Sequence, residues 1–107
     1  MARVSRGTRD LTVKAILAAL NDYERQFAGS HAAVYRQNPG TIRVRIIDDR
    51  FAGMSKSRRH DDVWEYLRHR VGDDLMSEVS ALLLLPSAEL RSSLANLEFE
   101  DPVPSRG

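Results

Sequence analysis

From Ile42 to Leu67 the chain reads Ile-Arg-Val-Arg-Ile-Ile-Asp-Asp-Arg-Phe-Ala-Gly-Met-Ser-Lys-Ser-Arg-Arg-His-Asp-Asp-Val-Trp-Glu-Tyr-Leu. Its hydrophobic period changes midway. Ile42, Val44 and Ile46 alternate with Arg43 and Arg45, the period of two expected of a strand buried on one face. Beyond Ser55, the residues His60, Val63, Trp64, Leu67 and Val71 fall on one helical stripe. A tight Phe-x-Gly-x-Ser turn at Phe51, Gly53 and Ser55 joins the two, and Ser55 or Ser57 caps the helix. A strand, a glycine turn and a helix in immediate succession therefore form the centre of the fold.

The flanking segments extend this centre in both directions. Residues 1–9 are basic and poor in large apolar side chains, and they read as a flexible arm. A helix follows, capped from Thr8, Asp10 or Thr12, with Val13, Ile16, Leu17, Leu20, Tyr23 and Phe27 on one stripe and Gly29 as its stop. Val34 and Tyr35 mark a strand over residues 31–37. Asn38-Pro39-Gly40 turns it back onto the strand from Thr41 to Ile47, making a hairpin. Gly72 ends the second helix, and Asp73-Asp74 starts a short turn carrying Leu75 and Met76. The continuous apolar run from Val79 to Leu85 predicts a strand buried on both faces. Pro86 breaks it, and Ser87 caps a last helix presenting Leu90, Leu94 and Leu97. Residues 98–107 form an acidic, proline-containing tail.

The predicted fold is thus α+β, in the order αββαβα, with a three-stranded mixed sheet covered by helices on one face. The 107 residues, 42% hydrophobic and 29% charged, suit one domain, placed here at residues 10–97. The chain has no cysteine, which excludes disulfides, thiolate-ligated zinc and a thiol nucleophile. The arginines at positions 3, 6 and 9 have no apolar run behind them and no window resembles a membrane span, so the expected location is the cytoplasm. A net charge of +1 and a pI near 8.2 are too close to neutrality to mark a polyanion-binding protein by bulk charge.

The central segment resembles the BolA family of small stress-linked proteins. Phe51, Gly53, Ser55, Arg59, His60 and Val63 carry the likeness, which extends over residues 12–97. The resemblance implies a fold related to type II KH domains and a regulatory or adaptor role beside a monothiol glutaredoxin, with which BolA-like proteins share a bridging [2Fe-2S] cluster. The implied docking residues are Phe51, Gly53, Ser55, Arg59, His60 and Ser80. The family's usual ligand histidine lies at the start of the final strand, where this chain has Val79-Ser80-Ala81-Leu82. Ser80 takes that position, and a neutral hydroxyl is a poor substitute for imidazole on iron. The hairpin loop, Gln37-Asn38-Pro39-Gly40, offers neither histidine nor cysteine. The expectation is therefore partner docking, with ordinary cluster ligation disfavoured and no metal site of the chain's own.

Other chemistries fit less well. Gly53-Met54-Ser55-Lys56-Ser57 has the outline of a nucleophile elbow, but Ser57 stands where the second glycine belongs and the sheet is too small for a hydrolase. No catalytic residue is assigned and the chain is read as a non-enzyme. His60 and His69 lie nine positions apart, about 180° around a helix, so they cannot share a metal ion. His60 is expected to pack beside the apolar stripe, and Tyr66, off that stripe, to be exposed. The alternative function is a KH-like nucleic-acid-binding regulator that contacts phosphates through Arg43, Arg45, Lys56, Arg58 and Arg59. Against it, Gly53-Met54-Ser55-Lys56 lacks the Gly-x-x-Gly of a KH loop.

Overall fold

The computed structural model describes residues 2–4, 10–93, 96 and 99. The elements are β1 (Arg3–Val4), α1 (Leu11–Gln26), β2 (His31–Asn38), β3 (Thr41–Ile47), α2 (Lys56–Val71), α3 (Asp73–Met76) and β4 (Val79–Leu85). Single 3-10 turns occupy Asp49–Phe51 and Ser87–Glu89. The strands lie in spatial order β1-β2-β3-β4. β2 and β3 are the antiparallel hairpin, with Val34 opposite Val44, while β4 joins β3 in parallel with Val44 opposite Leu82.

Each element has a local cause. Of the three proposed caps of α1, Asp10 does the work, accepting from the Val13 amide at 3.1 Å. Thr12 instead donates to Glu78, and Thr8 lies outside the described residues. Arg36 of β2 bonds both Asp10 and Glu78, tying the start of α1 to the approach to β4. This guanidinium holds the Asp10 carboxyl below its usual range. Gly53 has φ +84°, a conformation that costs a side-chain-bearing residue, so the turn between β3 and α2 requires glycine. Ser55, rather than Ser57, caps α2 by accepting from the Arg58 amide at 3.2 Å. The Ser55→Ala variant is expected to lose about 1 kcal/mol of stability; an unchanged thermal midpoint would contradict that role.

The main core lies between the helices and one face of the sheet. Ile16, Leu20 and Tyr23 of α1 and Val63 and Leu67 of α2 pack on Val34, Ile42, Val44 and Ile46. A smaller cluster of Ala33, Tyr35 and Phe99, with Leu83 against it, occupies the opposite face.

Several expectations need correction. Among the described residues the sheet has four strands, because Arg3–Val4, within the stretch read as a flexible arm, pair in parallel with Ala33 and Val34. The covering is not confined to one face: Phe99, assigned to the tail, is 4% exposed and meets the Tyr35 ring edge-on at 4.9 Å. β4 is not buried along its whole length. Val79, Leu84 and Leu85 are buried but Ser80 and Ala81 between them are exposed, and among the described residues β4 is an edge strand with β3 on one side only. Ser87 begins a 3-10 turn and makes no side-chain cap, while Leu94 and Leu97 of the predicted last helix lie outside the described residues. Among the described residues no helix is long and apolar enough to cross a membrane.

Candidate functional site: the groove between α2 and β4

The Phe51 to Ser55 turn delivers the first residues of α2 alongside β4, and a groove of about 450 Å³ opens between them. Lys56, Arg59 and His60 line it from α2 and residues 82–85 from β4, and Glu89, Ser92 and Ser93 of the segment after β4 complete the lining. An apolar wall facing a few polar groups is the usual composition of a binding cleft.

Arg59 builds the groove. Its side chain is only 7% exposed. Nε donates to the Met54 carbonyl at 3.2 Å and Nη1 to the Leu84 carbonyl at 3.1 Å. The same guanidinium grips both oxygens of Glu89, at 3.1 and 3.0 Å. This bidentate pair joins the turn, α2, β4 and the following 3-10 turn at one point, and it holds the Glu89 carboxyl below its usual range. Arg59 is therefore a staple, and its guanidinium is committed within the chain.

The remaining sequence-predicted docking residues separate into scaffold and surface. Phe51 is 2% exposed and belongs to the main core. Gly53 shapes the turn and Ser55 caps the helix. His60 does not bury; its side chain is 53% exposed and its ring stacks on Trp64 at 5.5 Å with the planes 13° apart. Ser80 is exposed on β4, outside the residues that line the groove, and its hydroxyl donates to the Ile42 carbonyl at 3.3 Å. The groove thus brings together Arg59 and His60 with residues 82–85 and Glu89, which sequence reading did not assign to a site.

The five residues of the nucleic-acid alternative do not share a surface. Arg45 is 5% exposed; it donates to Asn96 Oδ1 at 2.8 Å and lies 4.9 Å from the Phe99 ring centroid. Arg43, on the same face, donates to the Tyr35 hydroxyl at 3.3 Å. Lys56 and Arg58 stand on exposed α2 positions, and Arg58 is 3.9 Å from Asp62.

A second, smaller cavity of about 180 Å³ lies beside the turn, walled by Tyr23, Phe27 and Tyr66 with Arg50. Tyr66 was expected at the surface; instead its ring meets Tyr23 edge-on at 5.2 Å and carries the Arg70 guanidinium at 3.6 Å. Tyr23 donates to the buried Asp48 at 2.8 Å, and burial together with that carboxylate raises the phenol above its ordinary range. Arg50 closes the network on Asp48 and on the Tyr23 oxygen. All three polar groups satisfy one another, so this is a structural lock.

The donors that the resemblance would ask of this chain differ from those present. Ser80, where the resembled family carries its ligand histidine, holds a hydroxyl already bonded to a carbonyl, the hairpin loop contains neither histidine nor cysteine, and among the described residues no three histidine, aspartate or glutamate side chains converge. No protein-family model, no curated protein and no solved structure matches this chain.

Proposed function

We propose that this protein is a non-enzymatic, BolA-like adaptor that docks a partner protein in the groove between α2 and β4, with a monothiol glutaredoxin as the partner implied by the resemblance. The observation that carries the reading is the meeting of the start of α2 with residues 82–85 of β4 around an open groove. Arg59 and His60 at the helix start carry part of the family likeness, and here they stand in one wall of that groove. Docking does not require the chain to ligate iron, and Ser80 offers no imidazole.

The nucleic-acid reading has less support, because Arg45 is sequestered under Asn96 and Phe99 on the face of the sheet opposite α2. Titrating isotope-labelled protein with monothiol glutaredoxin, apo and cluster-loaded, separates the cases. The expected result is amide shifts in residues 56–60 and 79–85 with the visible absorption of the cluster unaltered. Absence of shifts in both segments would overturn glutaredoxin docking, and a changed iron spectrum would overturn the cluster-independent form.

A further inference from the structure

We infer that the groove receives its partner as an extended segment added, as a fifth strand, to the edge of β4 that faces away from β3, a segment with apolar side chains at alternate positions and acidic residues at the end beside Lys56. The inference rests on the reading of the groove as a docking site and specifies the form and chemistry of the occupant.

Three observations lead to it. First, among the described residues β4 is an edge strand, and its sequence Val-Ser-Ala-Leu-Leu-Leu-Leu contains no charge and no proline, the devices by which proteins ordinarily protect an edge from further pairing. Second, the direction of its main chain is fixed at the end of the strand. The Leu85 carbonyl faces β3 and accepts from the Asp48 amide at 3.0 Å, whereas the Leu84 carbonyl faces away and accepts from Arg59. Main-chain groups alternate along a strand, so Leu82 turns its N–H and C=O outward into the groove. Arg59 occupies the outward carbonyl of Leu84 as a side-chain substitute for a neighbouring strand. Third, the helical wall carries a cation. Arg59 and Glu89 neutralise each other, which leaves the ammonium of Lys56 as the charge lining the groove. Strand addition draws affinity from main-chain bonds and specificity from alternate side chains, and this groove supplies both.

Short random peptides selected by display against the full chain test the proposal. The selected peptides are expected to be enriched in aspartate and glutamate, and to slow hydrogen exchange at the Leu82 amide of the wild-type protein. Leu82→Pro removes an outward N–H that no ladder bond of β3 needs, a substitution edge strands tolerate, and is expected to weaken binding by at least ~10-fold where Leu82→Ala, which keeps the N–H, does not. Peptides that bind Leu82→Pro as well as wild type, that leave Leu82 exchange unchanged, or that lack acidic residues would overturn the proposal. A wild-type dimer dissociated by Leu82→Pro would also overturn it, assigning the edge to a second copy of this chain. Glutaredoxin docking that survives Leu82→Pro would sink strand addition alone, whereas peptides mapping to β4 without any response to glutaredoxin would sink only the partner named above.

Discussion

Phe51→Ala is expected to lower the stability of this protein by about 3–5 kcal/mol, the usual cost of truncating an aromatic ring in a packed core. Phe51 is 2% exposed, at the end of the 3-10 turn after β3, and packs into the main core with α1 and α2. Its position two residues before Gly53 makes it the anchor that sets the path of the turn. A urea-unfolding midpoint close to wild type would contradict that anchoring role. Phe51→Leu, which keeps most of the apolar volume, should lose far less.

The second large effect is expected at Arg59. Arg59→Ala should cost about 2–4 kcal/mol, because it removes charge-assisted bonds to the Met54 and Leu84 carbonyls and leaves these acceptors in a poorly hydrated site. Arg59→Lys should recover little, since one ammonium cannot reproduce the fork that grips Glu89 and reaches two carbonyls. The acid branch of the stability curve offers a separate readout. The Glu89 carboxyl sits below its ordinary value of 4.5 in the folded chain, chiefly through its bond to Arg59. Its stabilising contribution is therefore fully present above the unfolded value and disappears as the pH falls through the lower folded value. In Arg59→Ala this acid-sensitive part should be missing, so the gap between variant and wild type should narrow below about pH 4.5. Parallel curves in acid would mean that Glu89 draws nothing from the pair.

Periodicity made much of this architecture legible. Ile42, Val44 and Ile46 are buried as their alternation requires, Ser55 caps the helix, and Gly72 stops it with φ +87°. What failed to show in the sequence was long-range. Arg45 is polar by alternation and was assigned to an open face, yet a ring and an amide some fifty residues later cover it. Arg59 and His60 are neighbours, and the apolar stripe favoured His60 for the interior. The carbonyls of Met54 and Leu84 and the carboxylate of Glu89 instead draw Arg59 inward, while His60 rests on Trp64. β1 has two residues, too few for any period to register. The groove is built from α2 and from β4, which are separated by α3, so neither segment alone announces it.

The order in which the sheet is completed bears on how the chain reaches this state. β2 and β3 are joined across a two-residue turn and can pair as soon as both are made, but the other edge of β3 waits for β4, with α2 and α3 in between. At ~5–20 residues per second, translation from Ile47 to Leu85 takes roughly 2–8 s, during which a nascent hairpin presents Ile42, Val44 and Ile46 beside an unfilled edge. Arg45 waits longest. Asn96 and Phe99, which cover it in the finished fold, are translated after β4, so its guanidinium meets them only once the whole sheet can form.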